Sequence, residues 1–146
     1  MTDSMNSRVV AVRVGEALVG IQLARVEEVT RLQNVTRVRP APAAVQGMAN
    51  LRGNLITLID LDQVLHGHAS GDQDRAITVI VDHGSESVGL VARELVDVLD
   101  AADLAQQAIP RQVTDGREGV IRSVIQLDDE LLMLLDLDGL LAAISE

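Results

Sequence analysis

Two pairs of aspartates are the first residues in this chain that could do chemistry: Asp60-x-Asp62 and Asp136-x-Asp138, each set in an apolar run. Carboxylates at this spacing are raw material for a magnesium site or for paired acid–base work. Nothing basic or glycine-rich accompanies either pair. The better reading is capping: in both places strand residues give way to a helical turn, where an Asp side chain accepts backbone N–H groups. His66-Gly-His68, with His83, offers three imidazoles to a metal, but HGHASGDQD is a polar loop of the solvated kind. No metal or other cofactor is expected. No G-x-S-x-G elbow, P-loop or G-x-G-x-x-G occurs, so no enzyme signature is present. Arg52, in NLRGNL, stands between apolar strand residues and directly before Gly53. It reads equally as an edge-strand charge that discourages unwanted pairing and as an arginine presented to a protein partner.

These residues need elements to hold them, and composition limits what those elements can be. At 146 residues the chain suits one domain or two small ones. It contains no Phe, Trp or Tyr, so its core must be built from Leu, Ile, Val, Ala and Met. Without rings there is nothing to stack a single-stranded base on and nothing to form a cation–π cage. A formal charge of −10 also argues against nucleic acid, whose phosphates need a basic patch. There is no cysteine, which removes disulfides, thiolate catalysis and thiolate metal sites. The longest apolar runs, LITLI and LLMLL, fall far short of the roughly twenty residues that span a bilayer. MTDSMNS lacks a signal-peptide core, so a cytoplasmic protein without direct membrane insertion is expected.

Residues 1–7 read as a loose tail, followed by VVAVRVG and ALVGIQL as a hairpin across Gly15-Glu16. ARVEEVTRL mixes a helical turn with strand propensity. Pro40 and Pro42 mark an extended loop, and Gly53-Asn54 a tight turn or bend in MANLRGNLITLIDL. AITVIVDHG and VGLVARELVDVL repeat the opening order around Gly84-Ser85-Glu86-Ser87. A polar linker with Pro110 leads to VIRSVIQL and ELLMLLDL, a hairpin across Asp128-Asp129-Glu130, and GLLAAISE reads as a short amphipathic helix.

The second half therefore replays the first. LITLIDLDQVL at 55–65 and LLMLLDLDGLL at 131–141 agree at six of eleven positions. Val19-Gly20 echoes Val88-Gly89, Val29 echoes Val98, and Gly47 echoes Gly119. Gly20 and Gly89 read as strand positions that a neighbour approaches closely. Two similar β-units of about 65 residues, too small to bury much core alone, are expected to pack together and leave a groove.

GIQLARVEEV, VTRVRPAPAAVQGMANLRGNLITLIDL, ITVIVDHGSESVGLVARELVDVL and VIQLDDELLMLLDLDGLL together resemble the chemotaxis coupling protein (CheW-like) family, in its order and spacing. The resemblance covers about residues 8–144, and Gly47-x-x-Asn50-Leu51-Arg52-Gly53, followed by an apolar strand and Asp-Leu, is specific in this context. It implies a mainly β fold: two SH3-like, five-stranded β-barrels side by side, with short helices including one at the C-terminus. Residues 8–146 would form a single domain with subdomains at approximately 8–70 and 75–140. It implies no catalysis. It implies an adaptor that binds the regulatory domain of a CheA-type histidine kinase and the cytoplasmic tip of methyl-accepting chemoreceptors, recruited to membrane-associated arrays. Asn50, Leu51, Arg52 and Gly53 would then lie at the receptor groove with Val26 and Val29 beside them, while the kinase contact is unassigned. No receiver domain is expected after the last repeat. The chain departs from the family pattern at Ala44 or Val45, where an aromatic is usual, and at Arg39, Thr57 and Ser123; Arg93 reverses a charge where Asp is usual. The rival from another class is a small-ligand sensor using the groove between the barrels.

Overall fold

Short runs of Val, Ile and Leu between turns become strands, because branched side chains suit a pleated, half-buried surface. The computed structural model describes residues 7–32, 34–67, 76–102, 104–107 and 119–145. Among these, in chain order, are β1 (Arg8–Val14), β2 (Ala17–Gln22), a 3-10 turn (Leu23–Arg25), β3 (Val26–Thr30), β4 (Val45–Leu51), β5 (Asn54–Asp60) and α1 (Leu61–His66). There follow β6 (Ile77–His83), β7 (Glu86–Ala92), β8 (Glu94–Asp100), β9 (Gln106–Gln107), β10 (Ile121–Gln126), β11 (Leu131–Leu135) and α2 (Leu137–Ser145). ARVEEVTRL, ambiguous as sequence, is both things in turn: a 3-10 turn, then β3. No described helix is long and apolar enough to cross a membrane. Residues 1–6, His68 and the Pro110 stretch lie outside the described residues.

The strands make two sheets, one ordered β8-β1-β2-β11-β10-β9 and the other β3-β6-β7-β5-β4. The expected mainly β architecture is present, with one sheet of five strands and one in which the two-residue β9 adds a sixth. The chain does not divide at residues 70–75, however. One compact unit, unit 1, joins the chain up to Arg25 to the chain from Leu95, and the other, unit 2, is Val26–Glu94. The reason is two parallel pairings. β2 lies along β11 through Leu18↔Leu132, Val19↔Met133 and Gly20↔Leu134. β5 lies along β7 through Thr57↔Val88, Leu58↔Gly89 and Ile59↔Leu90. Parallel strands cannot be joined by a tight turn, so each repeat gives its first hairpin to one unit and its second to the other.

The two glycines at these crossings carry the expected close approach. A Cβ on Gly20 would lie 2.8 Å from Leu134 Cδ2, and one on Gly89 would lie 2.6 Å from Leu58 Cδ2. Leu58 and Leu134 are equivalent residues of the sequence repeat, so the same packing is built twice. Unit 1 buries Val9, Ala11, Leu18, Ala101, Ile125, Leu132 and Leu134 together. Unit 2 buries Ala49, Ile56, Leu58, Ile80 and Val91, with Leu32, Val35, Leu51 and Ala76 packed against them. Ser7, expected in the loose tail, is tied down: its Oγ donates to Asp100 Oδ1 (2.8 Å) and its carbonyl accepts from the Ala101 N–H (2.7 Å).

The paired aspartates cap helices, as their position predicts. Asp60 is buried, and its Oδ1 accepts from the Asp62 N–H at 3.0 Å. Asp136 Oδ1 accepts from the Gly139 N–H at 2.9 Å, three residues into α2. An acceptor at each helix start satisfies a donor that has no partner inside the helix. Among the described residues, no three His, Asp or Glu side chains gather as a metal-ligand set.

Candidate functional site

The hairpin β4–β5 closes through Leu51↔Asn54, leaving Arg52 and Gly53 as its two-residue loop. Both have positive φ, 51° and 87°, which is the turn whose twist matches the flanking strands. Glycine adopts that backbone freely; arginine does so only where its surroundings hold it. Two contacts do so here. Asn50 Oδ1 accepts from the Gly53 N–H at 2.9 Å. The Arg52 guanidinium makes a two-pronged ion pair with Glu28, Nη1 donating to Oε1 and Nη2 to Oε2 at 3.0 Å. Arg52 remains 70% exposed while Glu28 is 29% exposed, so the carboxylate works as a brace under a presented cation.

The pair also shapes unit 2. Glu28 sits on β3 and Arg52 at the end of β4, and these are the opposite edges of the five-stranded sheet. A bond between the two edges requires the sheet to curl on itself, as a barrel does. A register irregularity in β3 between Val26 and Glu28 adds the local bend expected of a bulge.

The sequence-predicted residues take different parts. Arg52 and Gly53 form the exposed turn, and Asn50 is exposed with its oxygen holding that turn. Leu51 is half-buried and packs inward against the unit 2 core, so it supports the turn from below. Val26 and Val29 are half-buried on β3, on either side of Glu28. Two residues of this face were missed. Glu28 was missed because its partner lies 24 residues away and no local pattern announces it. Leu55 was missed because it reads as an ordinary strand leucine; it is 67% exposed and lies opposite Asn50 in register. Beside them Ser87 Oγ donates to Glu27 Oε1 at 2.7 Å. In unit 1, β8 is exposed along nearly its whole length and shows Leu95, Val96 and Val98 to solvent.

Electrostatics follow the geometry. The hydrogen bond from Arg52 holds the Glu28 carboxyl below its ordinary value, and Glu28 in turn raises Arg52. A carboxyl depressed in the folded state favours folding above its unfolded value and loses that contribution as pH falls through the lower folded value. The ion pair is therefore expected to survive into acid where an ordinary glutamate is already protonated. A carbon-detected NMR titration of Glu28 checks this: its midpoint should rise in Arg52→Ala, and an unchanged midpoint would refute the pairing. Nothing in this arrangement supplies a nucleophile with a base; it supplies a braced cation beside exposed apolar surface, which is the chemistry of a protein contact.

Comparison with known proteins follows the same line. The family model described as "CheW-like domain" matches residues 8–145. "Chemotaxis protein CheW" of Treponema pallidum is 27% identical over 140 residues, covering 93% of this chain and 82% of the relative. The protein of the same description from Rhizobium meliloti is 27% identical over 130 residues, covering 89% of this chain and 84% of its own. Among solved structures, the scaffolding protein TtCheW from Thermoanaerobacter tengcongensis superimposes with a TM-score of 0.80 at 21% identity, over 94% of this chain and 89% of that one.

Proposed function

Because the chain belongs to the CheW-like domain family, we propose that it is a non-enzymatic coupling adaptor of a chemotaxis or related chemosensory system. In this reading it binds the regulatory domain of a CheA-type histidine kinase and the cytoplasmic tip of methyl-accepting chemoreceptors. It acts in the cytoplasm, where membrane-associated arrays recruit it. The observation that carries the reading is the turn at Arg52: a presented guanidinium, braced by Glu28 and flanked by the exposed Leu55. Arginine is among the residues most enriched at interface hot spots. Asn50, Arg52 and Gly53 are the receptor contacts, with Val26 and Val29 on β3 beside the brace and Leu51 holding the turn from within. The exposed Leu95, Val96 and Val98 of β8 give unit 1 a contact strip of its own.

An adaptor of this kind needs no catalysis. It controls the kinase if the receptor's signalling states bind it with different free energies, and weak contacts suffice where many copies share one array. The test is calorimetric titration with the kinase regulatory domain and, separately, with a receptor-tip fragment. Saturable micromolar binding of both is expected. A folded sample that binds neither would refute the adaptor reading.

A further inference from the structure

Unit 1 contains a cavity of about 400 Å³ whose lining is of two kinds. Its floor is apolar: Val9, Ala101 and Leu134 belong to the buried cluster of the unit, and Leu104 packs against that cluster. Its rim is polar, with Ser7, Gln22, Gln106 and Arg122. Arg13, Arg25 and Arg52 each hold a carboxylate. Arg122 is exposed and holds none among the described residues. Gln106 is oriented by the buried Ser123, whose Oγ donates to Gln106 Oε1 at 2.9 Å. That leaves the Gln106 amide N–H groups as donors.

Among the described residues, none that lines the cavity is acidic. Asp100 accepts from Ser7 Oγ at 2.8 Å and from the Ala102 N–H at 3.0 Å. Ser7 directly precedes β1, whereas Arg122 is on β10, and β2 and β11 lie between those strands in the sheet order. The cavity thus offers a cation and an amide donor beside an apolar floor, and its lining residues Ser7 and Ala102 donate to the Asp100 carboxylate behind them. We propose that unit 1 binds a small aliphatic monocarboxylate, its carboxylate on Arg122 and Gln106 and its hydrocarbon body on Val9, Leu104 and Leu134. The volume lies at the small end of ligand sites, roughly 300–1,000 Å³, and suits a body of about five to seven carbons. With no aromatic residue in the chain, no ring is available to stack on an aromatic ligand. A dicarboxylate would set its second charge toward Asp100, so the site selects for one charge and an apolar tail.

Hexanoate is the probe, titrated into the full-length protein and followed by amide NMR shifts, with hexylamine and hexanedioate as partners of the same body and different charge. Hexanoate should saturate and move the amides of Ala101, Gln106 and Arg122. Hexanedioate should bind at least about tenfold more weakly, because its second carboxylate is set toward Asp100, and hexylamine should bind more weakly than hexanoate, because its cation cannot take the Arg122 and Gln106 donors. Arg122→Gln, an exposed substitution whose folding is checked by its melting curve, should weaken hexanoate by about tenfold, and Arg122→Lys should restore part of the loss. No saturation by hexanoate, equal binding of the amine or the diacid, or undiminished binding in Arg122→Gln would each overturn the proposal.

Discussion

Arg52→Glu is expected to weaken binding of a chemoreceptor-tip fragment by about thirtyfold or more while kinase-domain binding stays within about twofold, the range expected when a central arginine hot spot is lost. Arg52 is the most exposed member of its ion pair, and its guanidinium is held in place from beneath by Glu28. The substitution removes the presented cation and sets a second carboxylate against Glu28, so the turn loses both its charge and its brace. The loop itself should survive, because Asn50 still holds the Gly53 N–H. Calorimetry with the two partners in turn reads the split. The double variant Glu28→Arg/Arg52→Glu separates the two roles of the pair. It restores an opposite-charge contact between the sheet edges yet leaves no cation on the turn. Its melting curve should return to normal and its receptor affinity should not. Recovery of receptor affinity in the double variant would show that the pair matters only as a latch and that Arg52 makes no contact of its own.

Gly139→Ala should lower the stability of unit 1 by about 3 kcal/mol, with a fall in melting temperature on the order of 10 °C. Gly139 lies in the first turn of α2, and the backbone of Gly119 passes directly over it. A Cβ there would overlap the Gly119 carbonyl oxygen and lie 2.8 Å from the Gly119 carbonyl carbon and 3.3 Å from Asp136 Cγ. The first two are main-chain atoms and cannot rotate away. The neighbouring bond from the Asp136 N–H to the Val120 carbonyl (2.8 Å) pins the same segment. Relief therefore means moving α2 off the sheet. Hydrogen exchange locates the damage: amides of β10 and β11 should lose protection while those of β5 and β7 keep theirs. Gln63 is the equivalent residue of the first repeat, on α1, and Gln63→Ala serves as a control that should change stability by less than about 0.5 kcal/mol. Equal melting of Gly139→Ala and the natural chain would mean that Gly119 yields at no cost.

What the sequence disclosed and what it hid divide along the reach of each interaction. Hairpins around Gly15-Glu16 and in the stretch Gly84-Ser85-Glu86-Ser87 were legible because a strand, a tight turn and a strand are set by neighbouring residues, although Glu86 and Ser87 already belong to β7. The capping role of Asp60 and Asp136 was legible for the same reason, and so was the close packing at Gly20 and Gly89. The partner of β2 was not, because a parallel pairing with a strand more than a hundred residues later leaves no mark on local periodicity. That pairing and the parallel pairing of β5 with β7 together give the units their crossed division. At the candidate site, Arg52 was legible as an oddity, a charge between apolar residues, while its brace was not. Leu51 and Leu55 look alike as letters, yet one faces the core and the other faces solvent. β8 shows the same limit, since ELVDVLD reads as any half-buried strand until its place at the edge of the sheet is known.

The crossed allocation of hairpins sets an order of events on the ribosome. Unit 2 is one uninterrupted stretch, Val26–Glu94, and has all its strands once Glu94 has left the exit tunnel. Unit 1 starts first and finishes last: β2 ends at Gln22, and its neighbour β11 begins only at Leu131. Through that interval the nascent chain carries a valine-rich hairpin whose open edge has no neighbour to cover it, a surface that chaperones recognise and that other strands can join. A message cut short after residue 94 would release a product with the Arg52 turn complete and the other half unbuilt. Such a product would carry the Arg52 turn without the strands of unit 1, and a unit of this size buries little core by itself.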